Sequence, residues 1–574
     1  METRGGDARL TAGANHAIRG WWRFAVATGS ENREPGPRFQ CHGRAVDALD
    51  PALPMRDAKA CYRAVASRDA RFDGRIFVGV TSTGIYCRPV CPARTPRFEN
   101  CRFFASAAGA QEAGFRPCLR CRPETAPELA AWRGTSSTVS RGLALIADGA
   151  LDGEGSIDAL AARLGVGERQ LRRLFDQHLG VSPVAVAQTR RVLFAKHLIH
   201  ETRLPMTEIA WAAGFGSVRR FNETFRELFH RPPSALRRKA VVALPEGSVA
   251  AAGVTVRLRY RPPYDWPAML AYLRGRAIDG VERVDGAGYV RSVAHGGAIG
   301  TVEIVHLAAR DSLGVTIRFP CVRALPAIIA RVRRVFDLGA DVAAIGAHLA
   351  QDRLLAPLVA RRPGLRVPGG WDGFELAVRA VLGQQITVEA GRRLAGQLVA
   401  ACGTAVPGGP QGGIARVFPS AAAVAAADLS VLGMPGSRRA TLVALAQAAL
   451  AEPRLFEPLG TVEATVARLC AIRGVGDWTA HYIALRAARE PDAFPASDIG
   501  LLRGAADRRG VRPSPRELAA RAERWRPWRA YAAQHLWMGD AEAAPAVASP
   551  RMRRTAHVAS EPTVDARISA GQAS

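Results

Sequence analysis

The chain has 574 residues, with 78 lysines and arginines against 51 aspartates and glutamates, and a formal net charge of +27. This length holds about four domains of ordinary size. The sequence contains no run of eighteen uncharged apolar residues, so we predict no membrane span. The first residues lack the pattern of a secretory signal, so we expect a cytoplasmic protein without membrane contact. The positive excess favours a polyanionic partner, nucleic acid.

Apolar periodicity divides the chain into four patterned segments between two unpatterned ends. Residues 1–54 are rich in proline and arginine, residues 541–574 are small and polar, and both ends are predicted to be disordered. Met55 opens the first patterned segment, so either Met1 or Met55 can be the start of translation. The patterned segments are a short cysteine-bearing one at 55–130, a helical one at 135–240, a strand-rich one at 248–325 and a second helical one at 326–540.

Four cysteines form two closely spaced pairs, Cys87-x3-Cys91 and Cys118-x2-Cys121. In an intracellular chain this spacing predicts a tetrahedral zinc site, one zinc per chain, rather than a disulfide framework. The zinc can be a purely structural staple of a small domain. The alternative is a reactive site, because zinc and nearby cations keep sulfurs deprotonated and nucleophilic. The arginines around the cluster are Arg88, Arg94, Arg97, Arg116, Arg120 and Arg122.

The remaining six cysteines have no ligand spacing, and we expect buried free thiols at these positions: Cys41, Cys61, Cys101, Cys321, Cys402 and Cys470.

The stretch from "RFDGRIFVGVTSTGIYCRPVCPARTPRFENCRFF" to "AAGFRPCLRCRPE" resembles the N-terminal domain of the bacterial adaptive-response family Ada. The resemblance implies a small α+β domain in which the four cysteines bind zinc. It also implies that Cys87 accepts a methyl group from a methylphosphotriester in DNA.

Two stretches within 135–240 share a short helix, a glycine turn and an arginine-bearing second helix. "SIDALAARLGVGERQLRRLFDQHLG" has a possible N-cap at Ser156 and a turn at Gly165, and "PMTEIAWAAGFGSVRRFNETFRELFHRPPSALRR" turns around Phe215. This order is typical of helix-turn-helix units that dock in the major groove, with an ordinary helical bundle as the alternative. The residues expected to face DNA lie outside the apolar stripes: Arg169, Arg172, Arg173, Arg219, Arg220 and Asn222.

The pair of units, especially "EIAWAAGFGSVRRFNETFRELF", is similar to the AraC-family DNA-binding domain. A zinc domain followed by an AraC-type domain is also the order in Ada. The resemblance implies a nucleoid-associated bacterial regulator that binds a double-stranded promoter operator and can contact RNA polymerase. The Pro-Cys-His-Arg motif of the second Ada methyltransferase domain does not occur, so direct repair of alkylated guanine is not expected.

The stretch "LCAIRGVGDWTAHYIALRA" predicts a helix, a hairpin and a helix, with Gly474 and Gly476 in the turn. Amide groups that open the second helix can bind a DNA phosphate. With "DAFPASDIGLLRG", "RAERWRPWRAYAAQHLWMGD" and "WDGFELAVRAVLGQQITVEAGRRL", it resembles the helix-hairpin-helix DNA glycosylases, most closely the 3-methyladenine DNA glycosylase II (AlkA) type. The segment 248–325 resembles the N-terminal α+β domain of that type more loosely.

The glycosylase resemblance assigns roles to individual residues. Asp498 matches the catalytic aspartate, Trp478, Tyr482 and Trp537 match the base pocket, and Gln385 stands where the family inserts a wedge into DNA. Without the family resemblance, the local sequence predicts that Asp498 is a turn residue or an N-cap and that the aromatic residues belong to the hydrophobic core. The hairpin can also hold a monovalent cation.

Absent residues point to the type of reaction. Glycosylases that also cut the DNA strand form a Schiff base through a lysine in this hairpin, and Trp478 stands at that position here. No lysine follows Lys239. No cysteine follows Cys470 to hold the iron–sulfur cluster that some relatives carry near the C-terminus. We therefore expect a monofunctional hydrolase without an iron–sulfur cluster.

The predicted fold is multidomain and mainly α: a small α+β zinc domain, an AraC-type double helix-turn-helix, a small α+β domain and an all-α helix-hairpin-helix glycosylase domain. The main hypothesis is a methyl sensor, transcription regulator and alkylbase glycosylase in one chain. The rival hypothesis is a DNA-binding regulator whose glycosylase half is inactive and only docks on DNA.

Overall fold

The structure is a computed structural model. It describes residues 58–123, 138–237 and 253–543, apart from positions 70, 71, 75, 148, 153, 154, 287, 410, 411, 460 and 508. The predicted disorder of 1–54 and of 544–574 lies outside the described residues, whereas residues 541–543 continue a helix. Within the described ranges, no helix combines the length and apolar character needed to cross a membrane.

Residues 58–123 build a four-stranded sheet in the order β3-β1-β2-β4. Strand β4 runs parallel to β2, with Tyr86 opposite Pro117, and this pairing brings Cys118 beside the end of β2. A small aromatic core of Phe77, Tyr86 and Phe115 lies under the sheet. The elements are α1 Ala58–Ala66, β1 Phe77–Val80, β2 Ile85–Cys87, β3 Cys101–Phe104, α2 Ala107–Glu112 and β4 Arg116–Pro117.

Residues 138–237 form two helix-turn-helix units joined by one long helix. Three of its helices start where a serine side chain accepts a backbone N–H three residues on, at Ser156, Ser182 and Ser217. Gly165 ends the first short helix in the left-handed conformation that glycine favours, with φ +71°. The elements are α3 Thr138–Ala147, α4 Ile157–Leu164, α5 Glu168–Leu179, α6 Pro183–Glu201, α7 Met206–Ala212 and α8 Val218–Phe229.

Residues 253–318 form an antiparallel five-stranded sheet, ordered β5-β9-β8-β7-β6, with one helix after the first strand. Alternation sets its faces: Val254, Val256 and Leu258 of β5 point into the core. The strand-rich character of this segment matches the prediction. The elements are β5 Val254–Arg259, α9 Trp266–Arg276, β6 Glu282–Val284, β7 Tyr289–His295, β8 Ala298–Leu307 and β9 Ser312–Arg318.

Residues 325–543 are helical as predicted, except for a two-stranded ribbon of Thr404–Ala405 (β10) and Arg416–Val417 (β11). Strands of two residues carry no periodicity, so the sequence could not indicate them. The helices are α10 Leu325–Val335, α11 Val342–Leu349, α12 Ala356–Arg361, α13 Gly373–Leu382, α14 Val388–Cys402, α15 Ala421–Ala426, α16 Gly436–Ala451, α17 Val462–Cys470, α18 Asp477–Arg486, α19 Ile499–Gly504, α20 Pro515–Ala522 and α21 Arg529–Ala543. Short 3-10 turns occur at Phe98–Asn100, Pro233–Leu236, Ala308–Arg310, Val322–Ala324, Leu429–Leu432 and Glu523–Trp525.

The hydrophobic cores do not follow the four segments of the sequence. The second helix-turn-helix unit shares one continuous core with the five-stranded sheet, in which Phe221 and Phe225 join Val256 and Val315. The first unit has its own core, and the C-terminal helices have another. The second DNA-binding unit and the sheet therefore form one packed body.

A buried carboxylate ties three parts of the chain together. Glu201, the last residue of α6, accepts from Arg122 Nη1 at 2.6 Å and from Arg257 Nη2 at 2.7 Å. Lys196 on the same helix donates to the carbonyl of Cys118 at 3.1 Å. Burial raises the pKa of Glu201, but its bonds to Arg257 and Arg122 outweigh this and lower the pKa to about 2.

Glu201→Gln should destabilise the folded chain by about 2 kcal/mol at neutral pH, because it leaves the buried Arg122 and the half-buried Arg257 without their anion. The wild-type contribution of Glu201 is complete above the pKa of an unfolded glutamate and is lost as pH falls towards about 2. Urea denaturation at pH 7.5 and at pH 3 measures both effects. The exposed Glu227 provides the control. A Glu201→Gln variant no less stable than Glu227→Gln at pH 7.5 would contradict this role.

Candidate functional site

The carboxylate of Asp498 accepts hydrogen bonds from three directions. The indole Nε1–H of Trp478 donates to Oδ2 at 2.7 Å, and that of Trp537 donates to Oδ1 at 2.8 Å. The backbone N–H of Leu501 also donates to Oδ1, at 3.0 Å, so Asp498 is the N-cap of α19 as well. The interpretation of Asp498 as an N-cap is therefore confirmed, and its catalytic role stays a prediction. The cap fixes the side chain, and the two indoles orient its oxygens.

The three aromatic side chains singled out from the sequence lie together beside Asp498. Trp478 and Tyr482, one turn apart on α18, stack with centroids 5.4 Å apart and planes 14° apart. Trp537 on α21 meets Tyr482 edge to face at 6.3 Å. All three rings are half-buried and line a cavity of about 1380 Å³ that also contains Asp498. Such rings offer stacking surfaces for a base.

Sequence reasoning missed several residues of the same cavity. Tyr272 on α9 places its hydroxyl 3.3 Å from that of Tyr482, and Arg276 lies one turn further along α9. The Cζ of Arg486 on α18 lies 4.8 Å from the ring centroid of Tyr272. The four-residue spacing of Tyr272 and Arg276 is typical of one face of a helix. That spacing does not indicate which distant helix the pair will face.

The hairpin before α18 has the expected glycine turn. Gly474 is left-handed, with φ +84°, and any side chain there would collide with Thr441. Gly476 is the N-cap of α18. Gln384 donates from Nε2 to the carbonyl of Gly474 at 3.1 Å and to Thr479 Oγ1 at 3.0 Å. These two hydrogen bonds connect the loop after α13 to the hairpin and to the first turn of α18.

Gln385 is exposed at the rim of the cavity. Its φ of +59° is a left-handed conformation that few residues other than glycine adopt. The residue at the predicted wedge position is therefore held out towards solvent by its backbone.

The four paired cysteines meet at one point in the structure. Their Sγ atoms all lie within 4.8 Å of one another. Backbone amides point at two of the sulfurs, from Arg88 to Cys121 at 3.4 Å and from Arg120 to Cys118 at 3.3 Å. Four sulfurs at this spacing with N–H donors match the donor set of a structural zinc ion.

Cys91, Cys118 and Cys121 are buried, and Cys87 is half-exposed. Cys87 is thus the most accessible sulfur of the cluster.

Two of the six arginines around the cluster do not face solvent. Arg88 is 1% exposed and pairs with Asp73 through Nε at 2.6 Å, and Arg122 is buried in its pair with Glu201. Arg94, Arg97 and Arg120 are exposed and Arg116 is half-buried. Contacts with DNA phosphate can therefore come from these four arginines and not from Arg88 or Arg122.

The scattered cysteines only partly match the expectation of burial. Cys61 is buried, Cys101 and Cys402 are half-buried, and Cys41 lies outside the described residues. For Cys321 and Cys470 the prediction was wrong, because both are exposed. Cys321 lies in the loop after β9, and Cys470 is on the outer face at the end of α17. Neither local pattern reveals this exposure.

The predicted DNA-facing arginines lie on the solvent side of α5 and α8. Arg169, Arg172 and Arg173 are exposed on α5, as are Arg219 and Arg220 on α8, and Asn222 is half-buried. Leu171, Phe175, Phe221 and Phe225 cover the opposite faces and are fully buried. Arg172 and Arg219 are held by glutamates one turn away, Glu168 and Glu223.

Four family models match the chain one after another. They are the metal binding domain of Ada at residues 60–124, a helix-turn-helix domain at 160–239, the AlkA N-terminal domain at 255–372 and the HhH-GPD superfamily base excision DNA repair protein at 378–530. The chain is also 42% identical over 482 residues to the probable bifunctional transcriptional activator/DNA repair enzyme AlkA of Mycobacterium tuberculosis. That match covers 84% of this chain and 96% of the relative. The chain belongs to this family.

Two further relatives each match one part of the chain. DNA-3-methyladenine glycosylase 2 of Escherichia coli is 35% identical over 283 residues, which are 49% of this chain and 95% of the relative. The bifunctional transcriptional activator/DNA repair enzyme Ada of Escherichia coli is 35% identical over 130 residues, which are 23% of this chain and 35% of the relative. The resemblances to Ada and AlkA and the multidomain, mainly α fold class are thereby confirmed.

Freshly purified protein should contain one zinc per chain by elemental analysis, and Cys91→Ser should lower this to well below stoichiometric, because the metal then has three sulfur ligands. Cys101→Ser is the matched control, since Cys101 lies in the same sheet and its Sγ is bonded to the carbonyl of Arg97. Protein without zinc, or equal zinc loss in both variants, would contradict the four-sulfur assignment.

Proposed function

We propose that this chain is a monofunctional DNA glycosylase for alkylated bases of the 3-methyladenine type, fused to a methylphosphotriester acceptor and a promoter-binding regulator. One observation carries the glycosylase assignment. A carboxylate, Asp498, is held by two indole N–H groups at the edge of a cavity lined with aromatic rings. The names of the Mycobacterium tuberculosis and Escherichia coli relatives support the same activity.

The geometry suits cleavage of a base–sugar bond in a flipped-out nucleotide. As the bond breaks, positive charge develops on the sugar, and an anion fixed beside it stabilises the transition state. Oδ1 of Asp498 accepts two hydrogen bonds and Oδ2 accepts one. A carboxylate oxygen can accept two bonds, so Oδ2 retains a position for the attacking water or the charged sugar.

If the glycosylase half were an inactive docking module, Asp498 would have no catalytic role. An aspartate that only caps α19 would need the bond from Leu501 and neither indole. The structure supplies all three bonds to one carboxylate, which favours a catalytic role.

Asp498→Asn should lower release of 3-methyladenine from alkylated duplex DNA by at least about 10²-fold, since it removes the anion that stabilises the sugar. DNA binding should change little, because the two side chains have nearly the same shape. Gas- or liquid-chromatographic assay of free base measures the first effect, and a gel-shift titration measures the second. Asp507→Asn, in a surface turn outside the cavity, serves as the control. Wild-type rates in Asp498→Asn would mean that the active site lies elsewhere.

A second activity is supported by the exposure of one sulfur. Cys87 is half-exposed whereas the other three cysteines of the cluster are buried, and it is the residue that matches the methyl acceptor of Ada, so we assign it that role. Its sulfur attacks the methyl carbon of a phosphotriester, the carbon–oxygen bond breaks, and the electron pair remains on the phosphate oxygen. Bound zinc keeps the four sulfurs deprotonated and therefore nucleophilic. The products are a thioether at Cys87 and an ordinary phosphodiester.

Methylation should also change how the chain binds its operator. The cluster with zinc carries about −2 before the transfer and about −1 after it, so its repulsion of nearby phosphate falls. Arg94, Arg97 and Arg120 are exposed cations of this segment that can contact phosphate once this repulsion falls. After exposure to methylphosphotriester DNA, promoter binding should be tighter, with a salt dependence steeper by about 0.9 in log–log slope per added phosphate contact.

Promoter titrations across a salt series, before and after stoichiometric methylation, test this change. Cys87→Ser should show no response, whereas Cys101→Ser should respond like the wild type. Unchanged affinity and slope in methylated wild-type protein would mean that the site repairs DNA without signalling.

Contacts with RNA polymerase, a monovalent cation at the Gly474 hairpin and the lack of an iron–sulfur cluster stay predictions of the family resemblance.

A further inference from the structure

A second cavity, of about 280 Å³, lies at the junction of the cysteine-bearing segment, the first helix-turn-helix unit and α10. Among the residues that the structure describes, it shares no lining residue with the cavity beside Asp498. Its volume is close to the lower end of the range for small-molecule sites, roughly 300 to 1,000 Å³. The cavity is therefore large enough for a small organic molecule.

Most of the wall of this cavity is apolar. Helix α6 contributes Val186, Leu193 and Phe194, α3 contributes Ile146, and α10 contributes Ile329. Transfer of hydrocarbon from water to such surroundings is favourable. The wall therefore suits a ligand with an apolar body.

The ionisable residues of the wall are all basic. Arg190 and His197 of α6 and Arg333 of α10 line the cavity, and its described lining residues include no aspartate or glutamate. Arg190 Nη1 donates to Asp152 at 2.7 Å, but Arg191 Nε donates to the same carboxylate at 2.8 Å. Because one carboxylate serves two arginines, the wall at Arg190 keeps a net positive charge and favours an anionic ligand.

A buried hydroxyl opens on the same cavity. Thr189, next to Arg190 on α6, lines the cavity and is 5% exposed, and within the described ranges no residue hydrogen-bonds its Oγ1. The hydroxyl of Ser106, also in the wall, already accepts from the N–H of Gly109 at 3.0 Å. Buried hydroxyls in proteins are normally hydrogen-bonded, so the Thr189 hydroxyl is available to the polar group of a ligand.

These features together fit one class of molecule. The apolar wall suits a hydrocarbon chain, and the volume suits a single chain of moderate length. Guanidinium and hydroxyl groups both donate hydrogen bonds, and a carboxylate accepts from both. A carboxylate at one end of a hydrocarbon chain satisfies the charge, the hydroxyl and the apolar wall at once.

We propose that this cavity is a binding site for a medium-chain carboxylate. Arg190 and Thr189 bind the carboxylate group, and the hydrocarbon chain lies among the apolar side chains of α3, α6 and α10. A bound molecule contacts the cysteine-bearing segment and the first helix-turn-helix unit together, so it stabilises their arrangement against α6. The site is separate from the glycosylase and methyl-acceptor sites and does not depend on either activity.

Decanoate is the probe, added to the full-length protein below the concentration at which it forms micelles. Isothermal titration calorimetry should show one saturable site per chain. The melting temperature should rise with decanoate concentration, because a ligand that binds the folded chain stabilises it. Decylammonium has the same chain and the opposite charge, and it should bind at least about tenfold more weakly, since it cannot accept a hydrogen bond from Arg190.

Matched variants locate the bound molecule. Ala330→Phe places a ring in the cavity and should abolish decanoate binding, whereas Ala520→Phe, exposed on α20, should bind like the wild type. Arg190→Met removes the guanidinium donors and should weaken decanoate binding by about tenfold. Arg524→Met, at an exposed position outside the cavity, is its control. Thermal melting without ligand checks the folding of each variant.

Three results would each overturn the proposal. They are wild-type protein without saturable decanoate binding, wild-type protein that binds decylammonium as tightly as decanoate, and undiminished decanoate binding in both Ala330→Phe and Arg190→Met. Should Ala330→Phe fail to fold, Ala147→Leu at the end of α3 fills the same cavity from its opposite partner and replaces it in the comparison.

Discussion

The position of one carboxylate depends on the packing of three helices. Asp498 caps α19, while its indole partners come from α18 and from α21. Each helix is anchored by side chains with no exposure, such as Leu501 and Leu536. The polar geometry of the site is therefore set by apolar burial, and a shift of any one helix would move a donor away from the carboxylate. The nearby glycine hairpin depends on the same packing, because only a glycine fits against Thr441.

The fused modules share contacts that isolated modules could not have. The second helix-turn-helix unit completes the core of the five-stranded sheet, and Glu201 binds arginines from the segments on either side of it. Helix α6 contacts the carbonyl of the zinc ligand Cys118 through Lys196. The second helix-turn-helix unit, the cysteine-bearing segment and the five-stranded sheet thus belong to one connected body.

Local features were predictable from the sequence and distant contacts were not. The cysteine spacing, the Ser156 cap and the glycine turns could be predicted because each depends on a few neighbouring residues, and the structure places them as expected. The meeting of Tyr272 and Tyr482 joins residues 210 positions apart, and Arg88 and Arg122 are buried against carboxylates 15 and 79 residues away. The exposure of Cys321 and Cys470 is likewise fixed by tertiary packing. Family resemblance supplied the role of Asp498, since its sequence context alone indicates only a cap.

Two indole N–H groups hold the Asp498 carboxylate in place, and the proposed catalysis depends on their hydrogen bonds. Single-turnover release of 3-methyladenine by Trp478→Phe and by Trp537→Phe tests it most directly, because phenylalanine keeps an aromatic face and removes the donor. Each variant should be slower by about 10²-fold, the usual cost of a displaced catalytic group, with folding and DNA binding intact. Wild-type rates in both variants would show that the indoles only fill space and that the carboxylate needs no help to stay in place.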